Sequence, residues 1–155
     1  MSTWQAMWEA VASDFGDLDA ARSARIGVRL LMAAVFGGLI GFERQWWGKP
    51  AGLRTHMLVA LGAALFVLFP AESGMQIADL SRVIQGVATG IGFIGAGTIL
   101  KRTDSESVEG LTTAASIWLT GAIGMSVGAG QLGLSVVCAV SAWIILFALA
   151  RLESR

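Results

Sequence analysis

The stretch from Arg82 to Leu100 constrains this chain more than any other. It has no charge after Arg82, is long enough to cross a bilayer, and carries five glycines: Gly86, Gly90, Gly92, Gly95 and Gly97. In a water-soluble helix each glycine would cost about 1 kcal/mol relative to alanine, and the segment would fray. In lipid no solvent competes for the backbone hydrogen bonds, and small residues let a second helix approach closely. The segment therefore reads as the packed centre of a membrane protein.

Composition points the same way. Hydrophobic residues make up 55% of the chain and charged residues 14%, and the mean hydropathy is +0.68. These values belong to a membrane protein rather than a soluble domain. The formal net charge is zero and no basic patch alternates with aromatics, so nothing favours nucleic acid as a partner. Cys138 is the lone cysteine and His56 the lone histidine, which closes off disulfide frameworks and histidine-cluster metal chemistry. No cofactor-binding pattern is present. Gly90, Gly92 and Gly95 match Gly-x-Gly-x-x-Gly, but inside a membrane helix rather than at a strand-to-helix turn. With no nucleophile elbow and no metal motif, the chain is not expected to be an enzyme.

The predicted fold is all-α, a polytopic membrane helix bundle of about five transmembrane helices with an N-terminal amphipathic helix. Apolar runs occupy Ile26–Phe42, Thr55–Phe69, Val83–Leu100, Val108–Ala129 and Leu132–Ala150, against about 20 residues needed for a crossing. Pro70 is expected to end the second run. Ahead of them, Trp4, Met7, Trp8, Val11, Phe15 and Leu18 recur at helical spacing, and Ser2 with Gln5 forms a capping box. Residues 1–22 thus form an interfacial helix, 23–151 the transmembrane domain and 152–155 a cytoplasmic tail. No cleaved export signal is expected. Arg44, Lys49, Arg54, Lys101, Arg102, Arg151 and Arg155 fall on one side, against Arg22, Arg25, Arg29 and Arg82 on the other. The positive-inside rule then places the C-terminus in the cytoplasm and the N-terminus outside.

Two hairpins look alike. Gly38-Leu-Ile-Gly41 followed by Gly52-Leu-Arg-Thr55 parallels Gly92-Phe-Ile-Gly95 followed by Gly110-Leu-Thr-Thr113. They read as parallel copies, with Gly37 and Gly41, Gly86 and Gly90, and Gly124 and Gly128 lining the surface where the copies meet. Gly92, Gly95 and Gly97 join this packing set. Polar side chains need reasons of their own. Arg29 either snorkels to the headgroups or points into the bundle as a fixed charge. Glu43, Arg44, Arg54, Thr55 and His56 crowd one mouth of the first hairpin, where Glu43 and Arg54 are expected to pair; Glu43 and His56 are the groups that could change charge. Gln85, Thr89, Thr98, Thr112, Thr113, Ser116 and Thr120 either bond to backbone carbonyls or line a polar path. Asp104, Glu106 and Glu109 read as a solvated turn, and no metal ligand set can be named.

Several of these segments, in order, resemble one family. Gly-Phe-Glu-Arg (41–44), Ala-Gly-Leu-Arg-Thr-His-Met-Leu-Val (51–59), Gly-Ile-Gly-Phe-Ile-Gly-Ala-Gly-Thr-Ile-Leu (90–100), Gly-Leu-Thr-Thr-Ala-Ala-Ser-Ile-Trp (110–118) and Ala-Ile-Gly-Met-Ser-Val-Gly-Ala-Gly (122–130) are similar to the MgtC/SapB family of bacterial inner-membrane proteins. The resemblance implies a multi-pass plasma-membrane protein linked to magnesium limitation and, in pathogens, to survival inside phagocytes. It also implies regulation of other membrane complexes, since some virulence-associated members restrain the proton-driven ATP synthase. This chain reads as a short form lacking their C-terminal ACT-like domain, and it has Thr112 where they tend to have Asn. The expected function is a non-enzymatic regulator that binds the lipid bilayer and other membrane proteins, or its own copies. The alternative is a small magnesium or proton transporter with a path between the hairpins.

Overall fold

The structure is a computed structural model describing residues 2–16, 19–101 and 107–153, without the side chains of 14–16 and 149–153. The helices are α1 (Thr3–Gly16), α2 (Ala20–Trp46), α3 (Leu53–Glu72), α4 (Ile77–Ala96), α5 (Leu111–Gly128) and α6 (Leu132–Glu153). Between α4 and α5, β1 (Leu100–Lys101) pairs antiparallel with β2 (Val108–Glu109), Leu100 opposite Glu109 and Lys101 opposite Val108. The chain is an all-α membrane bundle. α2, α3, α4 and α5 are each long and apolar enough to span, and α6 adds a shorter apolar stretch, Leu132–Ala148.

Local chemistry explains most of the boundaries. At α1 the Ser2 amide donates to Gln5 Oε1 (3.1 Å) and the Gln5 amide to Ser2 Oγ (3.4 Å), the expected capping box. Trp4, Met7, Trp8 and Val11 are exposed along this helix; Leu18 and the Phe15 side chain lie outside the described residues. Asp19 caps α2 by accepting the Arg22 amide at 2.6 Å. Gln45, near the end of α2, accepts the Leu53 amide at 3.3 Å and so caps the start of α3.

Three expected boundaries move. α3 continues through Pro70 to Glu72, because a proline near the C-terminal end forfeits one backbone bond without blocking the remaining turn. α4 begins at Ile77, before Arg82. Leu100 and Val108, assigned to span ends by their apolarity, instead pair in the short strands.

α5 sits at the centre, touching α2, α3, α4 and α6. The main core gathers Ala33, Phe36, Ile40, Ala60, Ala64, Ile123, Val127, Ala139 and Ala142, and a smaller one Ala51, Ala63, Ile91 and Ile117. Alanines dominate inside, while Leu31, Leu39, Phe66, Phe69, Phe93, Val137 and Ile144 face outward. Bulky apolar side chains outside and small ones within is the arrangement lipid favours, since only close packing distinguishes another helix from an acyl chain.

The two hairpins close differently. A β-carbon at Gly41 would lie 2.7 Å from the Leu53 Cα, and one at Gly37 would lie 2.9 Å from the Ala60 β-carbon, so α2 and α3 meet backbone to backbone. At Gly95 the Ala114 carbonyl would be 3.2 Å away. Gly41 and Gly95, equivalent in the repeat, thus both approach the start of the next helix. Gly124 and Gly128 face the carbonyls of Ala60 and Ala64, joining α5 to α3. Gly86, Gly90 and Gly92 depart from the expected packing set: open space surrounds each. Gly97 meets only carbonyls of its own turn, those of Ile94 and Phe93.

Candidate functional site

Two polar centres lie at opposite ends of the bundle. The first occupies the end holding the α2–α3 connection, where the last turn of α2 faces the first turns of α3 and α5. Buried polar side chains collect there: Glu43 and Arg44 from α2, His56 from α3, and Thr113, Ser116 and Thr120 from α5.

His56 is fully buried. Its Nδ1 lies 2.9 Å from the Gly52 carbonyl oxygen, which only accepts, so Nδ1 carries a proton. Nε2 lies 3.1 Å from Ser116 Oγ, and the same hydroxyl reaches the Thr113 carbonyl at 2.8 Å. With a neutral ring, one hydroxyl hydrogen serves two acceptors; a doubly protonated ring would itself donate to Oγ. Beside the pair a cavity of about 150 Å³ is lined by residues including Ile40, Thr112, Ser116 and Leu146.

Glu43 differs from expectation. Its Oε2 lies 3.7 Å from Arg44 Nη1, and Arg54, the anticipated partner, is exposed. Consecutive helical residues point about 100° apart, so the pair is loose, yet both side chains are almost fully buried. Neither Glu43 oxygen has a hydrogen-bond partner among the described residues. Thr55 is half-buried beside this group.

The second centre, at the opposite end, answers the question posed by Arg29. The side chain turns inward: Nη1 donates to the Gly128 carbonyl at 3.3 Å and lies 3.8 Å from Glu72 Oε1. Arg22 Nε donates to Glu72 Oε2 at 2.9 Å, and its Nη2 donates to the Glu72 carbonyl at 2.7 Å. Glu72 thus ties two arginines of α2 to the ends of α3 and α5. Glu72 carries no sequence signal of its own, because it lies beyond Pro70, where the helix is expected to end.

The remaining candidates are dispersed. Gln85 and Thr89 are exposed on α4, where Thr89 Oγ1 donates to the Gln85 carbonyl at 2.9 Å. Thr98 donates to the Gly95 carbonyl (2.7 Å) and Thr120 to that of Ser116 (2.7 Å). Thr112 is exposed apart from its edge on the cavity. Asp104 and Glu106 lie outside the described residues.

Residues 30–155 match the MgtC family. The chain is 50% identical to protein SrpB of Synechococcus elongatus, over 70% of this chain and 67% of that protein. It is 42% identical to the putative magnesium transporter YhiD of Escherichia coli, over 86% and 64% respectively. With protein MgtC of Brucella abortus the identity is 47%, over 70% and 44%. The match thus spans about two thirds of the first two relatives and less than half of the third. No solved structure matches. Breadth of coverage and the level of identity together show that this chain is a membrane protein belonging to the MgtC family.

Proposed function

We propose that this chain is a non-enzymatic regulator of other membrane complexes in the bacterial inner membrane, acting in ion homeostasis linked to magnesium limitation. The end bearing Arg44, Lys49, Arg54 and Lys101 would face the cytoplasm and α1 the outside, as the distribution of basic residues favours. The names of two relatives, MgtC and putative magnesium transporter YhiD, support the link to magnesium. The observation that carries the reading is the state of α4. Of this helix only Ile91 and Gly95 are buried. Gly86 and Gly90 open onto an apolar cleft of about 630 Å³ between α3 and α4. A surface of bare backbone and small residues is what a partner's transmembrane helix packs against.

The geometry makes the test clean. A β-carbon at Gly86 or Gly90 meets nothing within 4 Å, so the side chains of Gly86→Leu and Gly90→Leu start in open space and are expected to fill the cleft. A photocrosslinker at Ile94, used in native membranes grown at low magnesium, is expected to give a discrete adduct. Either leucine should abolish it, and Gly27→Leu, equally open but on α2, should not. Adducts that survive both cleft substitutions would overturn the reading.

A second reading, a small magnesium or proton transporter, draws on the His56–Ser116 pair and its adjoining cavity. It requires ion flux from purified protein in liposomes, reduced by Glu43→Gln or His56→Ala. Flux at the level of empty liposomes would remove it.

A further inference from the structure

Gln85 has no role within the single chain. It follows Ile77, the start of α4, by about 12 Å on a helix of about 30 Å, at about 1.5 Å per residue. That places it near the middle of the hydrocarbon layer, and its side chain is exposed there. Thr89 Oγ1 bonds the Gln85 backbone carbonyl, but the side-chain amide has no hydrogen-bond partner among the described residues. A primary amide carries two N–H donors and an acceptor oxygen, and acyl chains answer none of them. An amide left bare in hydrocarbon is costly.

The amide lies on a continuous row. Ala78, Arg82, Gln85, Thr89, Gly92 and Ala96 recur at alternating steps of four and three, the spacing that keeps one seam of a helix against a neighbouring helix. All but Gly92 are exposed, and a β-carbon at Gly92 would meet nothing within 4 Å. At about 100° per residue the row lies across α4 from Val87 and Ile94, which line the α3–α4 cleft, and from the buried Ile91. It is therefore a separate face from that cleft. Beyond Gln85 the row carries only Thr89, Gly92 and Ala96, so a second backbone can come close. Arg82, nearer the start of α4, can reach headgroup depth along its stem.

We propose that two copies of this chain pair through this face of α4, their Gln85 amides hydrogen-bonding each other across a twofold axis along the membrane normal. Copies inserted in one orientation present α4 in parallel and Gln85 at one depth. A twofold interface sets a surface against itself, which suits a group that both donates and accepts. Each amide gives one N–H to the other and takes one in return. An unrelated helix would need its own amide or hydroxyl at that depth, whereas a second copy carries one by construction. The pairing does not rest on the α3–α4 cleft.

The test uses the full purified chain in liposomes, carrying Cys138→Ala and one new cysteine, oxidised across a series of protein-to-lipid ratios. Ala96→Cys, on the row, is expected to form a disulfide-linked dimer. Ile94→Cys, two residues away on the cleft side, should link far less. Adding Gln85→Leu to Ala96→Cys should raise the ratio needed for half-maximal linking about tenfold. The Gln85 amide makes no hydrogen bond within the described chain, so that loss does not reflect a bond broken inside one copy. Gly90→Leu, which blocks the cleft, should leave linking at Ala96→Cys unchanged, so this pairing and the cleft reading fail separately. A chain that pairs only with other proteins gives no linked dimer in purified form. That result, equal linking from Ala96→Cys and Ile94→Cys, or linking indifferent to Gln85→Leu would overturn the proposal.

Discussion

At Gly124 a β-carbon would collide with the Ala60 carbonyl, and at Gly128 with that of Ala64. Backbone cannot rotate aside as a flexible side chain can, so α5 would have to withdraw from α3. Gly128→Leu is expected to destabilise the bundle by about 3 kcal/mol or more, measurable as a fall in unfolding midpoint in mild detergent. Gly90→Ala, where nothing lies within 4 Å, should leave it unchanged or raise stability by up to about 1 kcal/mol through helix propensity. Both glycines belong to small-xxx-small pairs, and the sequence offers no sign that one meets backbone and the other open space. Spacing reports that close approach is permitted; the neighbour that exploits it is a tertiary fact. The same holds for Ser116. Its hydroxyl is legible as a membrane-helix polar group, but its bond to His56 joins residues 60 positions apart. Ser116→Ala should strand Nε2 in the buried site and cost about 1–3 kcal/mol, whereas Ser126→Ala, whose hydroxyl bonds the Ala122 carbonyl of its own helix, should cost less than half as much.

Elements were legible where hydrophobic length alone decides them. The ranges Ile26–Phe42 and Thr55–Phe69 fall inside α2 and α3, and the last run begins with α6 at Leu132. The β1–β2 pair was not legible, because strands two residues long carry no alternation to read. What fixes that hairpin is Gly110, with φ of +92° ahead of α5 and a β-carbon position that would collide with the Thr98 carbonyl. A side chain there meets both a strained backbone and a fixed oxygen. Gly110→Ala is therefore expected to cost at least about 1–3 kcal/mol and to loosen the β1–β2 pair before any helix. Amide hydrogen exchange should show faster exchange at Lys101 and Val108, with protection at Ile117 and Ile123 retained.

Across the whole molecule, the two ends are held by different physics. At one end Glu43, Arg44 and His56 are sealed from solvent by α2, α3 and α5. At the other, Glu72 gathers Arg22 and Arg29 while roughly a quarter to a third of each side chain stays exposed. Exposure moderates the ion pairs there, so the Coulombic part should be about 1 kcal/mol or less for each. The geometry nevertheless spans three helices: Arg22 reaches the Glu72 carboxylate and carbonyl on α3, and Arg29 reaches the last carbonyl of α5. That arginine also lies where a β-carbon on Gly130 would approach its Nη2 to 2.7 Å, which fixes the exit from α5. A double-mutant cycle resolves the two contributions. Glu72→Gln and Arg29→Met should be non-additive by about 0.5–1 kcal/mol through their shared contact. Arg29→Met alone should cost more than Glu72→Gln, because it also frees the Gly128 carbonyl inside the bundle. Full additivity would mean that the two side chains act independently, Arg29 through the Gly128 carbonyl and Glu72 through Arg22.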